Sequence, residues 1–238
     1  PVSIQVYAYL RSLIIENHLI PGTQLSENEL SSLLNVSRQP VRESLARLKR
    51  EELVEVFPQK GSFVKKISVK NLKEICFVRD AIECTAVRDA MSLENKEFMG
   101  VCKKLKRNLE LQHEIDIEKK NAHERFLKLD DEFHSLICSF SGTTIAWDLV
   151  QSIKGNLDRI RFFTFAKISR IDKLYKEHCA ILNCIESKDA ERACELLKNH
   201  LYTISSTYKL AMEENEEWFC EEDVAIFRKW KKSQGLTK

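Results

Sequence analysis

Four side chains beyond residue 120 have the types and spacing to hold one cation. Asp130 and His134 stand four apart, and on a helix that spacing turns a carboxylate and an imidazole to one face. His178 and His200 lie in two later helical stretches, beside the apolar residues Ile181 and Ile185 in one case and Leu196 and Leu197 in the other. Three helices of an antiparallel bundle would aim all four groups inward, as bundle metal sites do. Spacing alone leaves the bland alternative standing. An Asp/His pair four apart arises often by chance, and a single helical histidine is usually a surface group or a satisfied core residue.

A second constellation lies near the start of the chain. Arg38 and Arg42 are one helical turn apart, with Gln39 beside them, on the side opposite an apolar stripe of Val41, Leu45 and Leu48. The first turn of a recognition helix is the part that meets base edges, and an arginine fork matches O6 and N7 of guanine. Arg47, Lys49 and Arg50 are placed to approach phosphates, which set register rather than sequence. Lys60 and Gly61 sit at a turn where a bare backbone could come close to a DNA strand. From Val36 to Lys66 there are eight Lys/Arg against four Glu, although the formal net charge of the whole chain is only +2. Each cation singly is explained by a solvated helix face; the ordered set points to a double-stranded nucleic acid.

The elements that must position these groups divide into two textures. Three of four prolines and two of six glycines fall between positions 21 and 61, and no proline follows residue 58. Residues 1–66 read as helix (Ile4 to Asn17), turn (Pro21-Gly22), a helix opened by the capping box Ser26/Glu29, a tight turn at Asn35-Val36, a helix capped by Ser37, and a hairpin with β-rich runs Leu53 to Phe57 and Ser62 to Lys66. That order is a winged helix-turn-helix. Residues 67–212 read as six or seven helices in an antiparallel bundle: Ser68 to about Met91, Asn95–Ile115, Lys119–Phe140, Thr143–Phe165, Ile168–Ser187 and Asp189–Met212. Residues 213–238, acidic and then aromatic and basic, read as an extra helix or tail. The fold class is mostly α.

Composition narrows the function classes. A 43% hydrophobic and 31% charged chain of 238 residues is a folded globular one, and no apolar run approaches the roughly 20 residues of a membrane span. Eight cysteines with no CxxC pair and no leader-like opening are expected to be free thiols in a reducing cytoplasm. There is no HExxH, no GxSxG and no glycine-rich phosphate loop. A metal-dependent hydrolase of a small substrate is the alternative function, and it leaves the first 66 residues without a purpose.

The runs Pro21-Gly22-Thr23-Gln24-Leu25-Ser26-Glu27, Asn35 through Leu45 (NVSRQPVRESL) and Gly61-Ser62-Phe63-Val64 resemble the winged helix-turn-helix of the GntR regulators. Asp130 with Phe133-His134, Tyr175-Lys176-Glu177-His178, Asp189-Ala190 and Lys198-Asn199-His200 resemble the FCD effector domain of the FadR-type branch. The resemblance implies a ligand-responsive transcription factor, a repressor acting as a homodimer on a pseudo-palindromic operator. It gives Arg38 and Arg42 operator-contacting places and makes Gly61 the wing-tip glycine. It implies a divalent ion, zinc or nickel, on Asp130, His134, His178 and His200. It also implies a small carboxylate effector bound with help from Arg79, Glu83 and Thr143. Three departures stand out: Glu52 occupies a place where the family has glycine, Asn28 one that is often arginine, and Thr143 one where it has asparagine. Of Arg159 and Arg161, one is expected to face the pocket and the other water.

Overall fold

A computed structural model describes residues 1–116, 118–119, 121–167 and 171–234. It divides into two compact units, Pro1–Leu72 with Ser152–Phe163 and Thr207–Lys238, and Lys73–Gln151 with Thr164–Ser206. Among the described residues no helix is long and apolar enough to cross a membrane.

In the first unit, α1 (Val2–Ile15), α2 (Glu27–Leu33) and α3 (Arg38–Arg50) surround a small antiparallel sheet in the order β1-β3-β2, with strands Gln24–Leu25, Val54–Phe57 and Gly61–Val64. Apolar residues at helical spacing make the core: Val6, Leu10 and Ile14 of α1 meet Val41, Leu45 and Leu48 of α3, with Leu53, Val54 and Val64 beneath. The serine half of the expected capping box forms, with the Glu29 amide donating to Ser26 Oγ at 3.3 Å. Ser37 is also an N-cap residue, but its hydroxyl makes no capping bond. Asn35 takes φ +50°, the left-handed turn that ends the α2 connection. In the hairpin, Val54 pairs with Val64 and Phe57 with Gly61; β1 is a third strand that the sequence pattern did not announce.

The break between α7 (Ile145–Ile153) and α8 (Gly155–Lys167) falls within the expected single helix Thr143–Phe165. At and just after the break, Lys154, Asp158 and Arg161 form one buried ion cluster, with Lys154 Nζ 2.6 Å and Arg161 Nη1 2.8 Å from Asp158 carboxylate oxygens. At Gly155 a Cβ would lie 2.9 Å from Leu53 Cδ2, so any larger residue would force the buried Leu53 side chain to shift. Arg159 donates to the Lys65 carbonyl at 2.9 Å. Both Arg159 and Arg161 are buried in this unit, so neither faces water as expected, and burial pushes the Arg159 guanidinium down to about 9. Glu52 carries φ +60°, the backbone that glycine would hold without the roughly 1–2 kcal/mol penalty of a side chain.

The tail also has a place in this unit. Ile67 and Phe219 form a parallel bridge, the Val69 amide donates to Asp223 at 2.9 Å, and Phe219 and Phe227 are buried. Trp218 packs edge-on against Phe163, ahead of α12 (Glu221–Ser233).

The second unit is helical: the main part of α4 (Val69–Ala90), then α5 (Asn95–His113), α6 (Ala122–Ser139), α7, α9 (Ile171–Glu186) and α10 (Ala190–Ser206). The apolar stripes of α4, α5, α6, α9 and α10 share one core, including Val87, Phe98, Leu105, Phe133, Ile137, Ile181, Ile185, Leu197 and Leu201. The expected helix Asp189–Met212 is broken before α11 (Tyr208–Glu214). The first residues of the expected Ile168–Ser187 helix lie outside the described residues, as does Lys120 of the expected Lys119–Phe140 helix.

Candidate DNA-reading face and metal-ligand cluster

With its apolar seam sealed, α3 turns its basic side outward. Arg38 and Arg42 side chains are 60% and 56% exposed. Both converge on Glu27 at the start of α2: Arg42 Nη2 lies 2.9 Å and Arg38 Nη2 3.7 Å from the same oxygen. The Arg42 hydrogen bond, helped by Arg38, holds the Glu27 carboxyl below its ordinary range. Gln39 is exposed and donates to Glu43 at 2.9 Å. Lys49 and Lys60 are exposed. Arg47 is half-buried, its guanidinium 4.2 Å above the Tyr7 ring, so it is the least free of the set. Gly61 takes φ +102°, which favours glycine at this turn, with Gln24 bonded to the neighbouring Lys60 carbonyl.

In the second unit, α6 contributes Asp130 and His134, α9 His178 and α10 His200, all four buried. Their ligand atoms lie within 4.8 Å of one another. His200 Nε2 is 3.3 Å from both His134 Nε2 and His178 Nε2, and His178 Nε2 is 3.4 Å from Asp130 Oδ1. Donors about 2.0–2.1 Å from a shared tetrahedral centre stand about 3.3–3.4 Å apart, so the spacing suits one small cation.

The opposite ring nitrogens show how the imidazoles are held. His134 Nδ1 is 2.6 Å from Glu83 Oε2, His178 Nδ1 is 2.9 Å from Gln112 Oε1, and His200 Nδ1 is 2.8 Å from Glu177 Oε2. Each partner is an oxygen that accepts from an Nδ1–H, which leaves an Nε2 lone pair facing the centre. Gln112 is itself fixed, donating to Asn108 Oδ1 at 2.7 Å. Phe133 stacks on His178 at 4.2 Å between ring centres and helps to dry the site. Burial lowers the His134 proton affinity, keeping its ring in the neutral, ligating form. This donor set, tautomers included, fits a divalent ion.

Arg79 and Glu83 sit on α4, both buried. Glu83 gives one oxygen to Arg79 Nε at 2.8 Å and the other to His134. Burial would raise its carboxyl, but Arg79 and His134 outweigh burial and hold it ionised. Each of its oxygens is thus engaged within the structure, one by Arg79 and one by His134. Thr143 stands apart from the cluster: it is exposed, and its hydroxyl caps α7 by accepting the Ile145 amide at 3.2 Å. Gln112 was absent from the sequence reading, though it interrupts the apolar stripe of α5 together with Asn108. Glu177 leaves no periodic signal.

Comparison with known proteins gives the setting. Residues 3–64 match the family model of bacterial regulatory proteins of the gntR family, and residues 74–203 match the FCD domain. The chain is 37% identical over 222 residues to the HTH-type transcriptional repressor RspR of Escherichia coli (strain K12), covering 93% of this chain and 95% of that protein. It is 31% identical to an uncharacterized HTH-type regulator from an unstable DNA locus of Streptomyces ambofaciens, covering 93% and 91%. The solved structure of E. coli McbR/YncC shares its fold, with a TM-score of 0.70 at 22% identity over 89% of this chain and 99% of that one. The hydrolase alternative finds no relative among these proteins. The chain belongs to the GntR family of bacterial transcriptional regulators, in the branch that carries an FCD domain, and is not an enzyme.

Proposed function

We propose that this regulator is a cytoplasmic repressor that reads a pseudo-palindromic operator as a homodimer and senses a small organic acid at a metal-containing site. Arg38, Gln39 and Arg42 meet base edges, while Lys49, Lys60 and the backbone at Gly61 hold the sugar-phosphate strands, with Arg47 in support. Asp130, His134, His178 and His200 hold a zinc or nickel ion, for which three imidazoles and a carboxylate are apt donors. Bound there, the ion offers an electrophilic site for a carboxylate. Arg79 supplies a buried cation next to that site for the same anion. The acid binds one regulator state more tightly than the other, and that difference changes operator affinity. Repressor is the sign carried by the name of the E. coli relative.

The observation that carries this reading is the convergence of three tautomer-fixed Nε2 atoms and Asp130 inside a buried site. Melting curves with and without a chelator, followed by a panel of small mono- and dicarboxylates on the metal-loaded chain, test it. Chelation is expected to lower Tm, and one class of acid to raise it. Arg79→Lys keeps the charge beside Glu83 but loses the planar fork, so it should lose the acid response while operator binding persists. A chelator-insensitive Tm together with no bound metal would remove the sensing half.

A further inference from the structure

Helices α4 and α10 meet along a ladder of three side-chain pairs within the second unit. Arg88 Nε lies 3.1 Å from Glu191, Lys198 Nζ lies 3.9 Å from Asp80, and between these rungs Cys84 faces Cys194. The numbers fall on α4 as they rise on α10, which is antiparallel register, one turn per rung. The thiol rung is reciprocal: Cys84 Sγ approaches the Cys194 carbonyl at 3.7 Å, and Cys194 Sγ approaches the Cys84 carbonyl at 3.5 Å. Sulfurs that reach each other's backbone need the close helix approach that a disulfide also needs.

We propose that Cys84 and Cys194 are a peroxide-responsive thiol pair that closes reversibly into a disulfide stapling α4 to α10. Their surroundings divide the labour. A bond from the Cys84 thiol, opposed by burial and aided by Arg88, holds the Cys194 thiol below its ordinary range. The same bond, with burial and the Asp80 carboxylate 3.2 Å from its sulfur, raises Cys84. The Asp80 carboxylate 3.2 Å from the Cys84 sulfur disfavours a thiolate there, which assigns Cys194 as the nucleophile and Cys84 as the resolving thiol. The Cys194 thiolate attacks hydrogen peroxide, forming an S–O bond as the O–O bond breaks, and the released hydroxide takes a proton to become water. Cys84 sulfur then attacks the sulfenic sulfur. The S–S bond forms, the S–O bond breaks, and the departing hydroxide takes the Cys84 proton as a second water. Two thiols are oxidised and one peroxide is reduced. Each cysteine is 6% exposed, which admits a small oxidant better than a bulky one. None of these steps uses the metal-ligand cluster.

The test is thiol mapping of the intact reduced chain. Limiting hydrogen peroxide is added, remaining thiols are alkylated, and peptides are sized by mass spectrometry with and without reductant. A Cys84–Cys194 crosslinked peptide is expected as the first product, lost on reduction, with the other six cysteines still alkylated. Cys84→Ser should leave Cys194 as a sulfenic acid that a dimedone probe captures, and Cys194→Ser should leave Cys84 unoxidised. Should either variant fail to fold, mapping of the unaltered chain decides alone. Oxidation of other cysteines first, or Cys194 passing to sulfinic acid with Cys84 still alkylated, overturns the proposal.

Discussion

The two polar constellations of this molecule are built by opposite rules. On α3 the Arg38 and Arg42 side chains are exposed, they share Glu27 as a counter-ion, and the backbone beneath them is fixed by an apolar seam. In the FCD unit every donor is buried, and each imidazole is turned by a dedicated acceptor. A surface that must exchange water for phosphate and base edges needs side chains free to move. A site that must hold a small ion needs side chains that cannot. Exposed pairs are worth little and break easily, whereas removing one partner of a buried pair leaves the other stranded.

The sharpest way to break this contrast is at a residue that touches no ligand position itself. Gln112→Leu removes the acceptor from His178 Nδ1, and metal affinity should fall about 10- to 100-fold. Gln112→Glu keeps an oxygen there and should restore most of it. Competition with a fluorescent chelator measures both, and equal losses in the two variants would show that Gln112 is only packing. On the other face, Arg38→Ala should weaken specific operator binding about 5- to 100-fold while melting temperature hardly moves. A large fall in melting temperature with operator discrimination intact would mean that α3 is not the reader.

How much of this was legible follows from the same contrast. Val41, Leu45 and Leu48 announce their helix through period alone, and Arg38 and Arg42 then follow as its outward face. Asp130 and His134 could be paired from spacing and α9 and α10 drawn as helices, but only the family resemblance grouped His178 and His200 with them, and the distances come from the fold alone. The orienting shell was harder still. Asn108 and Gln112 were readable as polar residues standing where the α5 stripe wants apolar ones. The bridge from Arg79 through Glu83 to His134 spans α4 and α6 and leaves no local trace beyond an i,i+4 pair. Burial of Arg159 and Arg161 ran against expectation because it depends on carbonyls and carboxylates that only the folded chain supplies.

The smallest effect, and the one with the most informative sign, belongs to Glu27. Its carboxylate takes Arg42 through both Nε and Nη2 and draws in Arg38. If the arginines read base edges as proposed, Glu27 competes for their donors. If Glu27 only competes with DNA, Glu27→Gln should tighten operator binding about two- to fivefold at low salt, and added salt should shrink the gain as it screens the pair. If instead Glu27 holds the guanidiniums in the geometry that the groove requires, the same substitution weakens binding and relaxes discrimination between operator and mismatched duplex. Fluorescence anisotropy on both duplexes across a salt series separates the two. Competition is the expected result, because the arginines remain more than half exposed and keep donors to spare.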